Sequence, residues 1–385
     1  MSNSLYWRLS GFYLFYFASL GAIVPYWGLY LQSLDYSIRE IGEIVAVITA
    51  TKIVAPNIWG WIADHTGQRI NIIRSASLFS VLIFSLVFWQ NSYGWMMAIM
   101  LAYSFFWNAT LPQFEAVTLS HLDKQIHRYS NIRLWGSIGF VISVGLLGAV
   151  LEQHGAGLLP VIIVVLLAGI WISSLLTPDR AYKTDARPVE KLTEVFKKPT
   201  VIALFIGCFL LQASHGPYYA FFSIYLEQHG YSRSLIGQLW ALGVIAEIVI
   251  FMFMQNWLPR FGARFLLLIA LLLTALRWYL TATQVDSHLV IFFAQLLHAA
   301  SFGVFHAVAI HLIYHHFPGR LQGRGQALYS SLSFGAGGAF GALYAGYLWN
   351  SMGSTWVYLS ASILALMAAI LCWSYIRNPE EKAAG

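Results

Sequence analysis

Glu247, Arg277 and His298 sit in three consecutive apolar runs, GQLWALGVIAEIVIFMF, FLLLIALLLTALRWYLTA and VIFFAQLLHAASFGVFHA. A charged group inside a bilayer costs about 2.5–3.5 kcal/mol even on the lenient insertion scale. Such groups persist where they pair with one another or line a watery pathway. An acid, a base and a histidine on neighbouring spans therefore imply a polar centre in a membrane protein that moves a solute. Histidine titrates near neutral pH, which suits His298 to proton exchange. Lys52 lies mid-span in VAVITATKIVAPNIWG, too deep to snorkel easily to either interface. It either attracts the carboxylate of an anionic substrate or joins a structural ion pair, with Glu115 as one candidate partner. Glu43 precedes it by nine residues, about 13 Å along a helix, and is a poor partner.

Other polar residues in apolar runs carry less. His215, His306 and His311 read as packing histidines with one bonded nitrogen, His311 most plainly because it lies near a helix end. His298 and His306 are eight residues apart, about 12 Å along a helix, so they do not share a metal ion; no metal or cofactor is expected. Aromatic side chains near proline or polar breaks are candidate walls for a flat apolar ligand: Tyr26, Trp27, Trp107, Asn108 beside it, and Tyr219. Pro25, Pro112 and Pro217 interrupt the same runs and free carbonyls toward a cavity.

The elements that hold these residues are legible as apolar runs of span length, about 20 residues each. They cover 9–31, 40–61, 71–90, 94–119, 131–151 and 158–177, then 199–226, 234–257, 264–283, 288–314, 325–348 and 354–376. At this length and hydrophobicity only helices satisfy their own backbone in lipid. The expectation is an all-α membrane protein of twelve transmembrane helices. The longest polar interval, PDRAYKTDARPVEKLTEVFKKP, divides them into a six-helix bundle at 1–177, a linker at 178–198 and a second bundle at 199–385. Val189–Lys198 reads equally as an amphipathic surface helix or a solvated linker. Span eleven, SLSFGAGGAFGALYAG, is dense in small residues and reads as a close-packing face.

Composition agrees. The hydrophobic fraction is 58% and the charged fraction 10%, against about 25% charged in soluble domains. The net charge of +6 does not point to nucleic acid, because the basic residues sit in short loops where they orient a membrane protein. One side holds Arg69, Arg74, Lys124, Arg128, the linker, Arg260, Arg264, Arg320, Arg324 and Arg377; the other holds Arg39 and Arg233. The first side is expected to be cytoplasmic, with both termini inside. Cys208 and Cys372 lie in separate apolar spans, so no disulfide framework is expected. No nucleotide-binding loop is present, and no nucleophile-and-base arrangement accompanies Glu247 and His298, so neither an ATP-driven pump nor an enzyme is expected.

The run GWIADHTGQR, Gly60 to Arg69, resembles the signature loop between spans two and three of the major facilitator superfamily. The resemblance gives Gly60, Asp64, Gly67 and Arg69 a conformational-switch role. Ile132-Arg133-Leu134-Trp135-Gly136-Ser137, Leu211 to Tyr219, Leu242 to Glu247, Leu276-Arg277-Trp278, and Leu297-His298 through His306 resemble the phenylpropionic acid permease family, a proton-coupled branch near the lactose permeases. By similarity to lactose permease, Glu115 and Arg133 occupy the places of sugar-binding groups, and Glu247, Arg277 and His298 match an acid, an arginine and a histidine in spans eight to ten. That permease has a second acid one turn after the histidine, where this chain has Ser301; coupling then falls to Glu247, with Glu115 or a histidine as helpers.

The resemblance implies a monomeric secondary transporter of a bacterial inner (plasma) membrane. It implies import of a proton and a small aromatic carboxylate such as 3-phenylpropionate by alternating access. Two other readings stay open: a sugar or nucleoside symporter, favoured by Glu115 and Arg133, and a non-transporting sensor on a transporter scaffold.

Overall fold

The computed structural model describes residues 3–122, 125, 128–179, 195, 197–319 and 321–377. Most of the expected 178–198 linker, Lys124 and Arg320 lie outside the described residues. Within them the chain is helical, with no strand. The first elements are α1 (Asn3–Ser33), α2 (Ile38–Thr66), α3 (Arg69–Ser85), α4 (Tyr93–Leu122), α5 (Tyr129–His154) and α6 (Leu159–Leu176). Then come α7 (Pro199–Gln228), α8 (Arg233–Phe261), α9 (Ala263–Thr283) and α10 (His288–His316). The segments Leu321–Tyr329, Ser330–Gly337 and Gly338–Met352 follow one another as α11, and α12 is Ser354–Tyr375.

Among the described residues, 10 helices are long and apolar enough to cross a membrane. The other two elements are α4 and α11. Helix α4 carries Asn108, Gln113 and Glu115 among tryptophans and tyrosines, which dilutes its hydropathy without shortening it. Helix α11 is diluted by the serines and glycines of SSLSFGAGG, a run that also holds a π-helical segment at Ser330–Gly337. A second π-helical segment, Ala299–Val304, lies inside α10. Segments of this kind often mark functional sites.

The described residues group into two compact units. One contains α1 to α6 with Gly230–Ala241; the other contains α7 and the chain from Leu242 onward. Large apolar side chains cover the outsides of both, for example Leu146 and Val165 in the first and Met252 and Ile370 in the second. Lipid takes the place of water there, so helix association rests on close packing rather than on the hydrophobic effect.

Small residues supply that packing. In the first unit a side chain at Gly139 of α5 would strike the Leu14 backbone of α1. The same pair of helices is tied by Ser143 Oγ donating to the Ala18 carbonyl at 2.8 Å and by Tyr26 Oη donating to the Val144 carbonyl at 2.6 Å. In the second unit Gly216 of α7 lies against Gly341 of α11, and a side chain at Gly337 would meet the Phe209 carbonyl. The small-residue face expected in span eleven therefore packs on α7.

Helix α2 shows how local sequence fixes the ends. Ser37 and Glu40 form a capping box, with Ser37 N donating to Glu40 Oε2 at 2.8 Å. The other end stops at Gly67, whose φ of 67° is left-handed and suits glycine. That turn brings Arg69 Nη2 to 2.5 Å from Asp64 Oδ1, so the acid and base of the signature loop pair with each other.

Candidate functional site

In the second unit, α8, α9 and α10 bring Glu247, Arg277 and His298 into one cluster. Arg277 is fully buried at 0% exposure. Its Nη1 lies 3.0 Å from His298 Nδ1 and donates to Ser301 Oγ at 3.0 Å, while Nη2 donates to Gln295 Oε1 at 3.2 Å. The guanidinium also lies over the rings of Tyr218 and Trp278, at 4.3 and 4.4 Å from their centroids, a cation–π arrangement. Tyr218 Oη donates to the same Gln295 oxygen at 3.1 Å. Among the described residues the Nε of Arg277 has no hydrogen-bond partner.

Arginine only donates. His298 Nδ1, facing Arg277 Nη1, must therefore accept, and the ring proton belongs on Nε2. That nitrogen faces Glu247, whose Oε2 is 3.7 Å away. His298 in this arrangement is a neutral bridge between a buried cation and a carboxylate. A second proton would have to displace Arg277 from Nδ1. The contact with Arg277 thus occupies Nδ1 of His298, and Glu247 is the more open partner, with a side chain 17% exposed.

Gly303 lets the cluster close. A side chain there would approach Glu247 Cγ at 3.3 Å. Gly303 lies in the π-helical segment that begins directly after His298. His215, on α7, is completely buried, with Nδ1 at 2.9 Å from the Leu211 carbonyl and Nε2 unpartnered. Its ring stacks on Tyr219 and meets Trp278 edge-on. His306 bonds Tyr329 Oη through Nδ1 at 3.0 Å.

The first unit holds a looser set. Glu115 accepts from Tyr129 Oη at 3.2 Å. Arg133 lies 3.8 Å over the Phe17 ring and 5.9 Å over that of Tyr13. The two make no ion pair within 4.0 Å among the described residues, and both lie beside the aromatic rings of Tyr13 and Tyr129. Lys52 has no hydrogen bond or ion pair among the described residues, which leaves its amine uncommitted. Glu43 is taken by Arg39 at 3.0 Å and by Tyr93 Oη at 2.5 Å. One residue before Lys52, Thr51 Oγ1 accepts from Asn108 Nδ2 at 2.8 Å.

Four rings run from Phe12 through Tyr16 and Trp107 to Tyr103, stacked in sequence. Trp107 Nε1, Tyr103 Oη and Trp27 Nε1 are buried without hydrogen-bond partners among the described residues. This interior is thus rich in uncommitted donors. Tyr26, expected to line a cavity, instead spends its hydroxyl on the α1–α5 contact.

Sequence reading did not single out Gln295 or Tyr129. A signal existed for both. Gln295 lies three residues before His298 and Tyr129 four before Arg133, the spacings that put side chains on one helix face.

Comparison with known proteins follows the same direction. The sequence model of the MFS_1 like family matches residues 6–360. A probable 3-phenylpropionic acid transporter of Escherichia coli (strain K12) is 28% identical, over 96% of this chain and 97% of that protein. A maltose permease of Geobacillus stearothermophilus is 26% identical, over 94% of this chain and 92% of the permease. Among solved structures, the nucleoside transporter NupG is similar with a TM-score of 0.84 and 16% identity, covering 97% of this chain and 98% of that one. That likeness concerns the fold.

Proposed function

The chain belongs to the MFS_1 like family of major facilitator transporters, and from that premise we propose that it imports a small aromatic carboxylate together with a proton. It is a multi-pass membrane transporter and not an enzyme. The proposed architecture is twelve spans in two six-helix bundles, 1–177 and 199–385, that work by alternating access as a monomer. The proposed location is a bacterial inner membrane, with the basic loops and both termini on the cytoplasmic side.

The observation that carries the reading is the charge balance around Arg277. Its bonds go to neutral acceptors, and the negative charge that answers it is Glu247, reached through His298. With Glu247 ionised, one positive and one negative charge balance. Protonating Glu247 leaves a buried guanidinium without its counter-ion, a state that costs several kcal/mol in a dry interior. A substrate carboxylate restores the balance. Proton and anion therefore favour each other's binding, which is a coupling free energy between two ligands. One proton then travels with one monocarboxylate.

Lys52 supports the anion reading, because its amine is uncommitted, and the stacked rings of Phe12, Tyr16 and Trp107 suit a flat apolar body. The 28% identical relative is named for 3-phenylpropionic acid, which has both parts. A sugar or nucleoside remains the second reading. Glu115 with Tyr129 offers hydroxyl-binding groups, and relatives of those classes match.

Uptake of labelled 3-phenylpropionate into proteoliposomes under an inward proton gradient separates the two. Stimulated uptake of the acid, unaffected by excess maltose or uridine, supports the first. Uptake of a sugar or nucleoside with none of the acid overturns it in favour of the second.

A further inference from the structure

Away from these clusters, the first turns of α1 and α5 enclose a cavity of about 610 Å³ in the first unit. Its two ends differ in chemistry. Asn3, Arg128 and Asn131 line the end nearest the helix starts, and Leu134, Trp135 and Ile138 line the other. The residues 131, 134, 135 and 138 share one face of α5 by helical spacing. Seven residues separate Asn131 from Ile138, so the wall runs about 10 Å along the helix axis.

The polar end favours an anion. Arg128 is the N-cap residue of α5 and its side chain makes no cap bond, so the first-turn amides and the positive helix end stay available. Arg128 bonds to the neutral Gln125 Oε1 at 3.2 Å, and no carboxylate pairs with it among the described residues. Tyr6 forms a firm side wall, because Trp135 Nε1 donates to Tyr6 Oη at 2.8 Å. Trp7, 53% exposed, packs on Trp135 with ring centroids 5.1 Å apart. Tryptophans at the head-group level are the usual anchors of a membrane interface. Leu134, 47% exposed, opens the apolar end toward the surface of the helix bundle.

We infer that this cavity binds one anionic phospholipid, its phosphate at Arg128 and Asn131 and the start of an acyl chain along Leu134 and Ile138. The charge at one end and an apolar wall reaching about 10 Å beyond it match that molecule and not an inorganic anion. The residues lining the site are not those of the transport clusters, and the inference does not depend on the substrate proposed above.

The test counts lipids bound to the purified full-length protein by native mass spectrometry, with phosphatidylglycerol titrated against phosphatidylcholine. Wild type retains one phosphatidylglycerol in preference to phosphatidylcholine. Arg128→Gln and Asn131→Asp each weaken that binding about fivefold, the worth of one charge at a lipid surface, with no change for phosphatidylcholine. Asn131 is exposed, so its substitution leaves folding intact, and a melting curve checks both variants. Ile138→Trp fills the apolar end and weakens binding while the charges stay. Equal retention of the two lipids, wild-type binding in both charge variants, or displacement of the lipid by inorganic phosphate alone would each overturn the assignment.

Discussion

Arg277 sets the protonation chemistry of its neighbour, and this can be tested one residue at a time. Asparagine at 298 places an amide oxygen near the position of Nδ1 and keeps the acceptor for Arg277. His298→Asn should retain gradient-driven uptake within about threefold, with the pH midpoint of uptake unmoved. His298→Leu removes the acceptor and strands a buried donor, a loss of about 1–3 kcal/mol; uptake should fall at least about fivefold. A shifted midpoint in the asparagine variant would return the proton to the histidine. Lys52→Gln removes the uncommitted amine. A hydrogen bond to a charged group is worth about 1.5–3 kcal/mol, so the KM for the carboxylate should rise about tenfold or more, with the maximal rate little changed. An unchanged KM would leave Lys52 without a substrate role.

At the scale of elements, helices meet where glycine admits them. Gly139→Leu in α5 would drive a side chain into the Leu14 backbone. The variant should melt several degrees lower in detergent, or fail to accumulate in membranes. Ser143→Ala, losing one bond to Ala18, should cost only about 1 kcal/mol. Equal stability of Gly139→Leu and wild type would refute the α1–α5 contact.

This is also where the sequence stopped being readable. Apolar runs gave the helices nearly to their ends, because lipid demands length and hydrophobicity of each one separately. The grouping of Glu247, Arg277 and His298 could be read, since each stands out as costly in its own run. What each one touches could not. Contacts between helices depend on rotation about the axis, and the π-helical segments in α10 and α11 alter that rotation; small residues mark the run in α11 as a packing face without revealing its winding. Gln295 looked like an ordinary polar residue until it met Arg277, and Tyr26 like a cavity wall until its hydroxyl reached Val144. The resemblance puts Glu115 and Arg133 at sugar-binding places, but that Tyr129 bonds the one and the Phe17 ring underlies the other does not follow from it.

For the whole molecule, charge balance at Arg277 makes a prediction about driving forces. A proton and a monocarboxylate entering together carry no net charge. A pH gradient should drive accumulation of 3-phenylpropionate, and a membrane potential alone, set by potassium and valinomycin at equal pH, should not. Potential-driven uptake would mean a second cation in the cycle.

The most direct measurement compares Glu247→Gln with wild type in proteoliposomes, in two modes. One is accumulation of labelled substrate under an inward pH gradient; the other is counterflow exchange at equal pH. Glutamine imitates the protonated acid, so the expected result is that accumulation is lost while exchange survives. Accumulation at the wild-type level in Glu247→Gln would contradict the proposal that this carboxyl carries the proton.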